Sequence, residues 1–416
     1  MTISRSRPRR RTAHPVAVVI GTRPEAIKLA PVVLELRRRG ISTSVVATGQ
    51  HGEMVDSVLG LFGIAPDHEL KLMRREAGLN AALGRAIYRI GALFDEIEPG
   101  AVIVQGDTTT AVAGAIAAFN AGVPVAHVEA GLRSHDLALP FPEEMHRRLI
   151  TVVARWQFAP TEHAAEQLRA ERATGSILVT GNTVVDAVNH ILATHAGPPA
   201  GAARGQYLLA TAHRRESWGD PIRNIALGLR DVLRAQPDLS VVFATHPNPK
   251  ARGPVDEVLA AEPRAMVVDA IAYDEFLKLL RGATLAVTDS GGVQEEGPSL
   301  GVPVLVTRAV TERPEGIEAG AARIVGTGRA RIRTAVLELL EHPELRLQMT
   351  AAGRSVYGDG MAASRIVGAI VGGDVAERLI GPGDGRRKLK QDRRLPRVAA
   401  TPAAGRGNSL GAGQGQ

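Results

Sequence analysis

The chain has 416 residues, of which 44% are hydrophobic and 22% charged, and it contains no cysteine. Single cores stop growing near ~250–300 residues, so this length predicts two domains. Without cysteine there are no disulfides and no thiolate metal ligands, and a reducing cytoplasm is the expected location. The formal charge of +7 sits at the two ends. Arg5, Arg7, Arg9, Arg10 and Arg11 begin the chain, and eight basic residues from Arg386 to Arg406 face only Asp384 and Asp392 near its end. The body between them is mildly acidic, so no basic folded face points to a nucleic-acid partner. The Gly/Pro/Arg-rich ends read as a disordered arm (1–13) and tail (381–416).

The first apolar run, Val16–Ile20, follows the basic arm but is five residues long, too short for the roughly 7–15-residue core of a signal peptide. It reads as a strand. A helix over Glu25–Arg39 and a strand over Thr43–Ala47 come next. They are followed by a helix Leu79–Ile97, strands Ala101–Val104 and Pro124–Val128, a helix Glu143–Val153, and strands Trp156–Phe158 and Ile177–Val179. No run approaches the ~20 apolar residues of a membrane span, and no membrane partner is expected. The Pro/Gly/Ala-rich stretch His195–Gly205 then breaks both periodicities and reads as a linker.

A second series repeats the pattern. Strands are predicted at Tyr207–Ala210, Val241–Ala244, Met266–Val268, Leu285–Val287, Val302–Val306 and Arg323–Val325, with helices around Pro221–Arg234, Asp274–Arg281 and Ala330–Leu340. Short β-branched runs alternating with amphipathic segments signify βα units and parallel sheets. The fold class is therefore α/β, with two doubly wound halves whose strand carboxyl ends face a common cleft.

Chemistry-bearing residues collect at those strand ends. Asp107, Glu129 and Glu143 each follow an apolar run or a Pro-rich turn; any one alone could be a cap or a solvated turn residue, but three in one half read as acid/base groups. Gly21-Thr22-Arg23-Pro24-Glu25 joins the first strand to the first helix and places Arg23 and Lys28 near a helix start, which suits an anion. In the second half, Ser290, Gly291 and Gly292 open a strand-to-helix junction of the kind that receives a diphosphate, and Glu296 lies one turn further on, where ribose hydroxyls could donate to it. His213 follows the first strand of that half and can carry a proton near neutrality. No His-x-x-x-His pair with an acidic helper and no calcium loop occurs, so no metal is expected.

Together, Gly21-Thr-Arg-Pro-Glu-Ala-Ile-Lys28, Gly106-Asp-Thr-Thr-Thr110, His127-Val-Glu-Ala-Gly-Leu-Arg133, Pro142-Glu-Glu144, Gly181-Asn-Thr183, His213-Arg-Arg-Glu-Ser217, Asp289-Ser-Gly-Gly-Val-Gln-Glu-Glu296 and Thr311-Glu-Arg-Pro-Glu315 closely resemble the non-hydrolysing UDP-N-acetylglucosamine 2-epimerase family over about residues 15–372. The resemblance implies the GT-B architecture of two Rossmann-like domains, an N-terminal one at 14–190 and a UDP-binding one at 206–358. A linker at 191–205 would join them, and a C-terminal helix at 359–380 would pack back on the first.

The same resemblance implies a UDP-sugar substrate, no cofactor, and interconversion of UDP-GlcNAc and UDP-ManNAc through loss and re-addition of UDP. Asp107, Glu129, Glu143 and His213 would be catalytic, Arg23, Lys28 and Arg313 would balance the departing charge, and Ser290, Gly291 and Gly292 would hold the phosphates. Glu296 would bind the ribose, and Phe276 would lie by the uracil. A homodimer is implied as well. Many bacterial members bind a second, activating UDP-GlcNAc at a Gln-His-Arg-Glu-Met segment. Here Gln50, His51 and Glu53 would line that place, with Gly52 where the cation stands. A 2-epimerase of a modified UDP-sugar, such as a diacetamido uronic acid, and a GT-B glycosyltransferase are the competing activities. A catalytically silent nucleotide-sugar sensor is the non-enzymatic one.

Overall fold

The computed structural model describes residues 13–49, 52–72, 78–199, 205–214, 217–246, 248–269, 271–372 and 379. Both terminal segments therefore lie outside it. Two parallel sheets dominate. The first contains β1 (Val16–Ile20), β2 (Thr43–Ala47), β3 (His68–Glu69), β4 (Ala101–Gln105), β5 (Val125–Val128), β6 (Ala154–Ala159) and β7 (Ser176–Val179). The second contains β8 (Tyr207–Ala212), β9 (Ser240–Thr245), β10 (Ala265–Val268), β11 (Leu285–Thr288), β12 (Val304–Val306) and β13 (Ala322–Ile324). Their orders are β3-β2-β1-β4-β5-β6-β7 and β10-β9-β8-β11-β12-β13. In each, the order reverses beside the first strand, at β1/β4 and at β8/β11, and an open α/β sheet leaves its binding crevice at that point.

Alternation along the strands builds a core on both faces. From β1, Val16, Val18 and Ile20 join Leu29, Leu36 and Ile191 on one side, while Ala17 and Val19 join Ile90, Phe94 and Val112 on the other. In the second lobe, Leu208 and Ala210 pack with Ile225, Leu229 and Ile332, whereas Tyr207 and Leu209 pack with Leu280 and Val304.

The expected strands all occur, with end shifts that have local causes. Val302–Val306 shortens to Val304–Val306 because Pro303 has no N–H to give, although its carbonyl accepts from Ala286 at 2.9 Å. The first helix runs Arg23–Arg38 rather than Glu25–Arg39, since Pro24 fits the first helical turn. β3 was not anticipated: two residues are too few to show a period of two.

The chain returns to the first lobe at its end. The helix Ala362–Gly372 buries Ala363, Ile366, Val367 and Ile370 in that lobe's core. Arg39 donates to the Ser364 carbonyl and hydroxyl at 3.0 Å, and the Asp186 carboxylate accepts from the Ala362 and Ala363 amides at 3.2 and 3.0 Å. Among the described residues no helix is long and apolar enough to cross a membrane.

Candidate active site

The turn after β1 is held by one carboxylate. Glu25 Oε2 accepts from the Gly21 and Thr22 amides at 2.7 and 2.6 Å, and Oε1 accepts from the Thr108 hydroxyl. Thr108 in turn caps the helix Thr109–Asn120, so Glu25 fastens the turn after β1 to the turn after β4. Burial pushes the Glu25 carboxyl up to about 7 against the pull of those donors. Gly21 is required here for space, because a Cβ would lie 2.1 Å from Thr110 Oγ1. Arg23 leaves this turn and lies over the ring of Tyr273, from the second lobe, 5.3 Å from its centre.

Asp107 stands at the end of β4, where Gly106 turns the chain with φ +67°. Arg147 grips its carboxylate through Nε at 3.0 Å and through Nη2, and His146 Nδ1 contacts the Asp107 carbonyl at 2.9 Å. These two side chains tie the helix Glu143–Val153 to the Asp107 turn. They bring half-exposed Glu143, the first residue of that helix, to the same end of the sheet. Among the described residues Glu143 has no ion-pair partner. Its neighbour Glu144 does: buried, it accepts from the Ser134 amide at 3.0 Å and pairs with Arg147 and Arg148.

Glu129 follows β5 in a left-handed conformation, φ +63°, which costs a non-glycine residue of order 1 kcal/mol. Its carboxylate accepts from Gln105 and from the Lys28 ammonium. Lys28 also meets Glu295 of the second lobe at 2.8 Å, and Arg313 donates from Nε to Glu295 at 2.6 Å. Lys28 and Arg313 thus alternate with Glu129 and Glu295 at the junction of the lobes, Glu312 lies 3.6 Å from Arg313 as a further anion, and removing one partner of a buried pair there costs about 3–5 kcal/mol. Burial pushes Glu129 above the usual carboxylate range, with Lys28 opposing it. Burial would also raise Glu295, but Lys28 and Arg313 outweigh it and hold it at about 2.

Across the cleft, Ser290 is the residue before the helix Gly291–Ser299, at the end of β11. Gly291 opens that helix where a side chain would meet Arg313. A Cβ there would lie 2.8 Å from Arg313 Nη1, so the missing side chain makes room for the Arg313 guanidinium. Lys28 and Arg313, expected as countercharges for a ligand, already balance Glu129 and Glu295. Glu296 accepts from the Tyr273 hydroxyl at 2.8 Å, and burial raises its pKa.

His213 directly follows β8, and its amide donates to Asp289 at 3.0 Å while its ring stays partly open to solvent. Partial enclosure lowers the His213 pKa, with Asp289 opposing. Phe276 packs half-buried beside the second lobe's core.

Gln50 and His51 lie outside the described residues. Glu53 is exposed on the helix Gly52–Leu61, at a cavity that Asp56, Glu69 and Lys71 also line. No cluster of three His, Cys, Asp or Glu placed to hold a metal occurs among the described residues.

Sequence reasoning passed over Glu25, Glu295, Arg147, Glu144 and Tyr273. Thr22 three residues before Glu25 is a capping-box spacing and could have revealed Glu25. Nothing local distinguishes Glu295 from Glu296.

A family model described as UDP-N-acetylglucosamine 2-epimerase matches residues 34–371. The UDP-N-acetylglucosamine 2-epimerases of Escherichia coli K12 and Bacillus subtilis are each 41% identical to this chain, over 368 and 356 residues. The matches cover 85% of this chain and 98% and 93% of those proteins. The crystal structure of UDP-GlcNAc 2-epimerase from Neisseria meningitidis bound to UDP-GlcNAc is 38% identical with a TM-score of 0.80, covering 86% of this chain and 100% of that one. Its sugar-nucleotide-bound fold is thus the fold described above, of GT-B type. A family match across most of its length and relatives at 41% identity establish that this chain belongs to the UDP-N-acetylglucosamine 2-epimerase family.

Proposed function

We propose that this chain interconverts UDP-GlcNAc and UDP-ManNAc by eliminating UDP and adding it back. The observation that carries the reading is the meeting of two strand-end sets at facing switch points. Asp107, Glu129 and Glu143 gather at one, with Arg23 of the same lobe reaching across to Tyr273, and the helix start at Gly291 gathers with His213 at the other.

The C2 proton of the sugar is not adjacent to a carbonyl, so direct removal is slow. As the C1–O bond breaks, its electron pair leaves with UDP and charge builds at C1, which acidifies C2. A carboxylate takes the C2 proton and the C2–H pair becomes the C1–C2 double bond of 2-acetamidoglucal. In the return step a carboxyl on the opposite face protonates C2, and the UDP oxygen bonds to C1. Two faces need two proton carriers, and Asp107, Glu129 and Glu143 supply them. The amides at Gly291 and Gly292, with Ser290, Arg23 and His213, receive the diphosphate. Glu296 is held by Tyr273 through one carboxylate oxygen and would take the ribose hydroxyls with the other.

Incubation of the protein with UDP-GlcNAc in D2O tests this. Deuterium should enter C2 and UDP-ManNAc should accumulate. Unlabelled sugar at equilibrium would refute the reading, and turnover only with a modified UDP-sugar or an added acceptor would favour the competing activities.

We further propose a homodimer. Met145, Leu149 and Val152 form an exposed apolar stripe on the helix Glu143–Val153, Phe119 is exposed on the helix packed against it, and Tyr88 is exposed on the next helix along.

A further inference from the structure

Lys28 and Glu129 both belong to the first lobe, so their contact forms whatever the second lobe does. Glu295 belongs to the second. It sits one helical turn beyond Gly291, on the helix whose start faces the cleft, and its side chain is 2% exposed. Arg313, from the same lobe, holds one Glu295 oxygen at 2.6 Å, and the other reaches Lys28 at 2.8 Å. A continuous chain of contacts therefore runs from Gly291 through Arg313 and Glu295 to Lys28 and Glu129.

From this geometry we infer that Glu295 is a positioning residue: it engages Lys28 only when the lobes are together, and so makes the chemistry at Glu129 conditional on lobe approach. The inference rests on the epimerase reading above and goes beyond it, because Glu295 is asked neither to touch the sugar nor to move its proton.

The electrostatics fix the direction. Glu129 faces Lys28 and Gln105 from its own lobe, and Glu295 and Arg313 from the other. Glu295 faces Lys28 and Arg313, with Glu296 beside it in sequence and the Tyr357 hydroxyl and Glu315 nearby. With Glu295 in place, its negative charge opposes ionisation of Glu129 and draws part of the Lys28 charge away; Arg313, brought by the same lobe, acts the other way but less, so Glu129 is a stronger base. With the lobes apart, Lys28 serves Glu129 alone and weakens it. Proton transfer is then favoured only in the assembled cleft, where water is excluded and a reactive glycal is not lost.

The test uses the full chain and the variants Glu295→Gln and Glu295→Asp. Deuterium exchange at C2 is followed from about pH 5 to 9, with UDP affinity measured separately. Glu295→Gln should move the acid limb of the kcat profile down by about one pH unit and lower kcat roughly tenfold, with the UDP Kd within about threefold of wild type. Glu295→Asp keeps the charge but withdraws it from Lys28, so its limb should move the same way by less. An unmoved limb in Glu295→Gln overturns the inference, as does a fall in kcat matched by lost UDP affinity. Should Glu295→Gln fail to fold, the limb of Glu295→Asp decides alone. Absence of exchange in the wild-type protein is a separate result, which refutes the epimerase reading and this inference with it.

Discussion

Arg147 Nε and Nη2 both reach the same oxygen of Asp107, and the same guanidinium meets Glu144 at 3.2 Å, so the orientation of Asp107 is dictated by a residue one turn along the Glu143 helix. A guanidinium held by two carboxylates has little freedom. Arg147→Met should therefore release Asp107 and lower kcat roughly 100-fold, the cost of about 1 Å of misplacement, while UDP binds nearly as in wild type. Steady-state kinetics beside calorimetry with UDP checks this; an unchanged kcat would remove Arg147 from the site.

The carboxylates themselves give a more direct prediction. Asp107→Asn and Glu129→Gln should each abolish deuterium exchange at C2 while UDP still binds, because neither amide can accept the proton. NMR of the sugar in D2O reads the outcome. Exchange retained in both variants would contradict the assignment.

Two buried groups give stability opposite dependences on pH. His127 Nε2 contacts the Gly106 carbonyl at 2.8 Å, which makes that nitrogen the donor, while Nδ1 is buried without a partner among the described residues. Burial lowers its pKa to about 4. Between about 6.5 and 4 the unfolded chain binds a proton that the folded one refuses, so this contribution is lost as pH falls through that window, by up to about 3 kcal/mol. In urea unfolding from pH 7 to 4.5, His127→Gln should lose less stability than wild type.

Glu25 works the other way. Its folded pKa near 7 lies above the unfolded 4.5. The stability associated with its protonated form is complete below about 4.5 and is lost as pH rises through 7. Glu25→Gln should therefore gain on wild type as pH rises from 5 to 8, and a constant difference in urea midpoint would show that Glu25 does not titrate there.

Gly291→Ala tests the space taken by Arg313. The new methyl would press on the guanidinium, displacing it from Glu295 at a cost of about 1–3 kcal/mol and weakening UDP binding. Thermal unfolding with and without UDP measures both effects.

Leu149→Glu with Val152→Glu should leave a folded monomer. Charge on an apolar stripe is harmless in water and disruptive at an interface. Sedimentation of the double variant against wild type reads the result; wild type sedimenting as a monomer would overturn the proposed dimer.

The order of residues is enough to set the two βα series and most strand positions, because a strand buried on both faces must be a short apolar run and a surface helix must be amphipathic. It also determined that Arg23, Asp107, His213 and Ser290 stand at strand ends, since each directly follows such a run or lies within a few residues of one. Which partners these groups acquire depends on the packing of the two lobes. The resemblance assigns Lys28 and Arg313 to a ligand's charge, yet Lys28 meets Glu129 and Glu295, Arg313 meets Glu295 as well as its neighbour Glu312, and Glu295 and Glu296 leave their helix toward different partners. Periodicity fixes the face a residue occupies within its own element. The charge it meets across a lobe junction is set by how two separately folded sheets are brought together.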